Sequence, residues 1–183
     1  MSELPLHPII VHFPVVLAML APLLALALLI VLLRRRASLG LAWLVASLFA
    51  GLAVSSFVAM ETGELDEARV EAITGEGPLE RHEEAAELLM VLAVVGAAVA
   101  TVGGLVAASE GAARARIPVA LVTLAAGGAV AFAAVRAGHS GGELVYVHGA
   151  ALAHVKAGAL EPSPQGAGVP TSPAPHGDDG DDD

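Results

Sequence analysis

The chain has 183 residues, 56% of them hydrophobic, and a mean hydropathy of +0.73. That composition points away from a soluble domain and toward a membrane protein. The absence of cysteine excludes disulfides, thiolate zinc sites, iron–sulfur clusters and covalently attached c-type haem. A net charge of −10, from 19 acidic against 9 basic residues, argues against nucleic-acid binding.

Four apolar runs stand out, roughly Pro8 to Leu33, Leu39 to Met60, Ala85 to Ala108 and Ile117 to Ala137. Each reaches the roughly 20 residues that cross about 30 Å of hydrocarbon as a helix. Lipid offers no partners to backbone N–H and C=O groups, so spanning segments of this kind are helical. The expected fold is an all-α, integral-membrane four-helix bundle over residues 1–158, followed by an acidic Pro/Gly tail over 159–183. The N-terminus carries Glu3 and no basic n-region, so the first run is expected to be a permanent span.

Charge gives the expected direction of crossing. Arg34, Arg35 and Arg36 follow the first run, and Arg114 and Arg116 separate the third from the fourth. The positive-inside rule places both short loops in the cytoplasm. Between Glu61 and Glu84 the chain holds nine acidic residues and only Arg69 and Arg81. That loop and both termini are therefore expected outside, in the manner of a bacterial inner-membrane protein.

In chain order, the first run opens with two histidines, His7 and His12, among apolar neighbours and beside Pro8 and Pro14. If Pro8 is the first helical residue, His7 is the N-cap and Pro14 bends the helix. If Pro14 is the first helical residue, both histidines sit on an extended lead-in. The second run ends at Met60, a soft ligand in principle, though a methionine packed between helices is the commoner case. Gly77-Pro78 signals the start of the third helix, with Glu80, Glu83 and Glu84 suited to the positive end of its dipole. His82 shares a face with Ala86, Leu89 and Ala93. Glu87 is either a partner orienting an imidazole or a carboxylate reaching outward.

The fourth run ends in Arg136-Ala137-Gly138-His139-Ser140-Gly141-Gly142, whose glycines read as stop signals. Arg136 is placed to pair a propionate or an acidic side chain. The stretch after it, with His148 and His154, is too short to span and is expected over the mouth of the bundle. His148 is a second-tier ligand candidate; His154, and His176 in the tail, are expected to face water. Small residues recur through spans two to four, including Gly51, Gly96, Gly103-Gly104 and Gly127-Gly128, and permit close helix packing in lipid.

His7, His12, His82 and His139 thus fall on one face of the membrane, with no histidine on the other. Interfacial histidines can simply reach for the headgroups, but four on one face favour a shared cofactor or metal site. Without cysteine, two imidazoles on different helices can clamp a haem iron. This predicts one or two non-covalent b-type haems and an electron-transfer role. Two alternatives stand beside it. One is a non-haem site built from His82 with Glu83 or Glu84, joined by His12 and His139. The other is a structural or accessory subunit of a membrane complex without cofactor, in which the histidines satisfy helix ends. A homodimer is a candidate assembly in any of these readings. No Ser–His–Asp pattern, phosphate loop or catalytic carboxylate pair can be placed.

The segments HPIIVHFPVVLA (His7 to Ala18), HEEAA (His82 to Ala86) and GHSGGELVYVHG (Gly138 to Gly149) resemble those of a bacterial family grouped as domain of unknown function 2231. The resemblance covers roughly residues 4 to 150. It implies a four-span bundle with the histidines in the same order. Members of that family often occur beside c-type cytochrome modules, which implies a haem-linked redox role. This chain has no CxxCH, so such a cytochrome would be a separate partner.

Overall fold

The computed structural model describes residues 6–34 and 39–154. Arg35, Arg36, His176 and the tail expected over 159–183 lie outside the described residues.

The described chain forms six α-helices: α1 (His7–Ile10), α2 (His12–Leu33), α3 (Leu39–Glu64), α4 (Glu67–Thr74), α5 (Glu76–Ala108) and α6 (Arg116–Tyr146). Single 3₁₀ turns at Ala113–Ala115 and Ala150–His154 precede and follow α6. Four stretches are long and apolar enough to cross a membrane: His7–Leu33, Leu39–Glu64, Glu76–Ala108 and Ala113–Tyr146. The expected all-α four-span bundle is therefore what the chain forms.

The long helices alternate in direction and pack in the ring order α2, α3, α5, α6, with α6 closing onto α2. This alternation brings the start of α1–α2, the end of α3, the start of α5 and the end of α6 to one end of the bundle. All the described histidines gather there. Arg34, Arg114 and Arg116 lie at the opposite end.

Leu, Val and Phe side chains cover the outside, while the interior is built largely from alanine, glycine and a few large residues. Such an inside-out pattern suits lipid, where close packing rather than water exclusion holds helices together. Phe49 of α3 is fully buried against Gly96 of α5, where a Cβ would stand 2.5 Å from its ring. Trp43 covers Gly104 in the same way, at 3.1 Å. Gly127 of α6 meets the backbone of Pro22 of α2, with Pro22 N and Cα both 2.9 Å from where its Cβ would be.

Pro14 neither starts the helix nor leaves the histidines on an extended strand. His7 is the first residue of α1, with Leu6 rather than His7 as N-cap. The helix then breaks for one residue at Val11, and Pro14 is the third residue of α2. The cause is local: Pro14 brings no N–H to the Ile10 carbonyl, and its ring crowds that carbonyl.

The glycines after Ala137 do not stop α6. It runs through Gly138, Gly141 and Gly142 to Tyr146, and the chain turns only at Gly149, whose φ is +74°. Glu143 to Tyr146 are therefore helical rather than a surface strap. The third long helix likewise starts at Glu76, just after Gly75 (φ +77°), so Pro78 is its third residue. There the missing N–H of proline costs nothing, because the first turn has no partner for it.

A paired-imidazole candidate site

At the histidine end, His7 and His82 come together from α1 and α5. Their ring centroids are 6.2 Å apart and their planes are nearly perpendicular, at 85°. Both side chains are half-buried.

Each ring is held through its Nδ1. His7 Nδ1 lies 2.8 Å from the Ala59 carbonyl of α3. A carbonyl only accepts, so Nδ1 carries the proton and donates. The same carbonyl also accepts from the Thr62 hydroxyl at 2.9 Å. His82 Nδ1 lies 3.1 Å from Ser140 Oγ of α6. When Ser140 gives its own hydrogen to the Ala137 carbonyl, 3.1 Å away, Nδ1 is the donor here too. In the neutral rings this leaves the lone pair on Nε2 of His7, and on Nε2 of His82 in the arrangement where Ser140 donates to Ala137. A metal-binding histidine has this arrangement, with its second nitrogen fixed by a carbonyl or other oxygen.

Glycine makes room for each ring. A Cβ at Gly63 would sit 3.2 Å from His7 Cε1, and one at Gly141 would sit 3.0 Å from His82 Cε1. Ser140 and Gly141 thus form a shelf for His82: one residue holds the nitrogen and the next lets the ring approach. The sequence reading passed over Ser140, Gly63 and the Ala59 carbonyl. The run His139-Ser140-Gly141 read as a helix stop, and a backbone carbonyl has no signature in sequence.

The other candidates stand apart from this pair. His12 is exposed, and its Nδ1 contacts only the Ile9 carbonyl at 3.3 Å. His139, with 77% of its side chain exposed, faces Glu143 one turn on, at 3.3 Å. Arg136 is exposed one turn before Ser140 and forms no ion pair among the described residues. His148 and His154 are half-buried in the cap where the last 3₁₀ turn packs on α4. Met60 is half-buried and Glu87 exposed. The carboxylates of Glu64, Glu67, Glu71 and Glu80 lie within electrostatic reach of Glu83, which makes the rim beside His82 strongly acidic.

Among the described residues, no three His, Asp, Glu or Cys groups converge in a way that could hold a metal ion. Of the histidines expected to share a site, His7 and His82 are the two whose rings the structure brings together.

No curated protein and no solved structure matches the chain. A family model described as "Predicted membrane protein (DUF2231)" matches residues 3–154, which include every helix and both imidazoles. The chain thus belongs to this family of predicted membrane proteins, DUF2231.

Proposed function

We propose that the chain is a membrane b-type cytochrome-like electron-transfer protein, with one haem between His7 and His82. The observation that carries this reading is the pair itself. Two Nδ1-anchored imidazoles from different helices each keep a free Nε2, with ring centroids 6.2 Å apart. Two imidazoles joined through one metal by bonds of about 2.0–2.1 Å have centroids roughly 5–6.5 Å apart, depending on the angle at the metal.

The number of ligands favours haem over a non-haem metal. Zinc sites take three or four protein ligands. A haem iron needs only two axial ones, because the macrocycle supplies the rest. His7 and His82 would hold that group, and exposed Arg136, one turn from Ser140, would pair a propionate. Bound there, haem supplies a one-electron iron centre. The Ala59 carbonyl and Ser140 hydroxyl keep both imidazoles in the ligating tautomer, which is the protein's contribution to the redox properties.

In this reading the histidine end faces out of a bacterial inner membrane, with both termini on that side, as the arginines at the other end support. The acidic rim around Glu83 attracts a basic redox partner, such as a separate c-type cytochrome. A homodimer is compatible with the lipid-facing surface.

A second reading has an observation of its own. The same hydrogen bonds tie α1 to α3 and α5 to α6, so the pair could act only as a structural clasp in a larger complex. The optical spectrum separates the two. Protein purified from haem-replete cells is expected to be red, with a Soret band that shifts on reduction. A colourless, folded preparation would leave the clasp.

A further inference from the structure

Arg116 opens α6 at the bundle end away from the histidines and reaches back over the end of α5. Its Nη2 donates to the carbonyls of Ala107 at 3.2 Å and Ser109 at 3.0 Å. A helix end leaves such carbonyls without N–H partners, so the guanidinium closes the α5–α6 turn. Its Nε is sealed from solvent and has no hydrogen-bond partner among the described residues. An unpaired donor on a charged group is costly when buried.

Beside it lies a small, partly open cavity of about 20 Å³, with Arg116, Ala107, Gly103, Ala120, Thr123 and Leu28 in its wall. One water needs roughly 10–15 Å³ of such space and two to four polar partners. Arg116 Nε–H is the unused donor. The Ala107 carbonyl accepts from Nη2 and keeps a second lone pair. The Thr123 hydroxyl spends its hydrogen on the Val119 carbonyl at 2.9 Å and can still accept.

We infer that one water molecule is bound in this cavity, accepting from Arg116 Nε and donating to the Ala107 carbonyl and the Thr123 hydroxyl, as a built-in part of the α5–α6 turn. Neither the imidazole pair nor any haem is involved.

The sign of a single substitution tests this. Ala120 is 3% exposed and lines the cavity, so Ala120→Val takes up the space. With water present, the valine expels it and strands Nε, and the Tm in detergent falls by several degrees. In a dry void the added methyl groups improve packing and the Tm rises. To separate water loss from a simple clash, the same change is made in an Arg116→Met background, which has no Nε to strand. Ala120→Val is expected to lower the Tm in the native background and leave it unchanged or raised in the second. A rise in the native background, or an equal fall in both, overturns the inference. So does a well-ordered high-resolution map with no density within hydrogen-bond distance of Nε.

Discussion

Gly141 lies so close to His82 that a Cβ on it would stand 3.0 Å from the imidazole Cε1, while Gly142 beside it faces nothing within 4 Å. The two glycines therefore do different things. Gly142→Ala is expected to stabilise α6 by roughly 0.5–1 kcal/mol, the ordinary gain of alanine over glycine inside a helix. Gly141→Ala forces the His82 ring to shift by a few tenths of an ångström and offsets that gain. Thermal unfolding in detergent reads the difference, and haem retention after purification is expected to fall for Gly141→Ala alone.

The same contrast holds for Gly127 and Gly128 on the α2–α6 face. Gly127 meets Pro22 backbone atoms at 2.9 Å, and backbone cannot swing aside as a side chain can. Gly127→Ala should cost about 1–3 kcal/mol, the usual range for overpacking. Gly128→Ala meets open space and should be neutral or slightly stabilising. Equal Tm values for the two variants would mean that α2 and α6 do not pack at this point.

Much of this architecture was legible in the sequence because length and apolarity alone define a spanning helix. The four runs, their alternation and the gathering of histidines at one end follow from that. The glycines misled because glycine has two uses in a membrane helix, as a terminator and as a place for close approach. Gly138, Gly141 and Gly142 looked like the first, and Gly141 serves the second. The histidine set was also coarser than the site. Sequence spacing fixes which end a residue occupies but not which way it faces, so His12 and His139 could not be told from His7 and His82. Ser140 went unnoticed because its role depends on a ring that is 58 residues away in the chain.

Ser140 is expected to act through His82 rather than on the centre directly. Ser140→Ala removes the oxygen that fixes Nδ1 and frees the ring to turn. Loss of such a supporting partner typically costs 10–100-fold in affinity for the bound group. A titration of haem into purified apoprotein measures this, and Ser140→Thr, which keeps the hydroxyl, should restore most of the loss. An alanine variant that binds as well as the native protein would show that Ser140 has no such role.

The absence of cysteine makes the direction of crossing directly testable. Single cysteines at exposed Gly77 and Ser109 mark the histidine end and the arginine end of the bundle. In intact cells a membrane-impermeant maleimide is expected to label Gly77→Cys and spare Ser109→Cys. The opposite pattern would put the histidines in the cytoplasm and reverse the positive-inside reading.

The four histidines themselves supply the sharpest division. His7 and His82 face each other with both Nδ1 atoms tied down, so His7→Gln and His82→Gln should each abolish the Soret band. His12 is exposed near the start of α2, and His139 is paired with Glu143 on the bundle surface. His12→Gln and His139→Gln should leave the spectrum and the Tm close to native, since exposed groups of this kind contribute little. If His139→Gln loses the haem while His7→Gln keeps it, His139 of α6 rather than His7 of α1 would hold the group together with His82. If all four keep it, the cofactor is held by none of these four imidazoles, and His148 and His154 are the next to change.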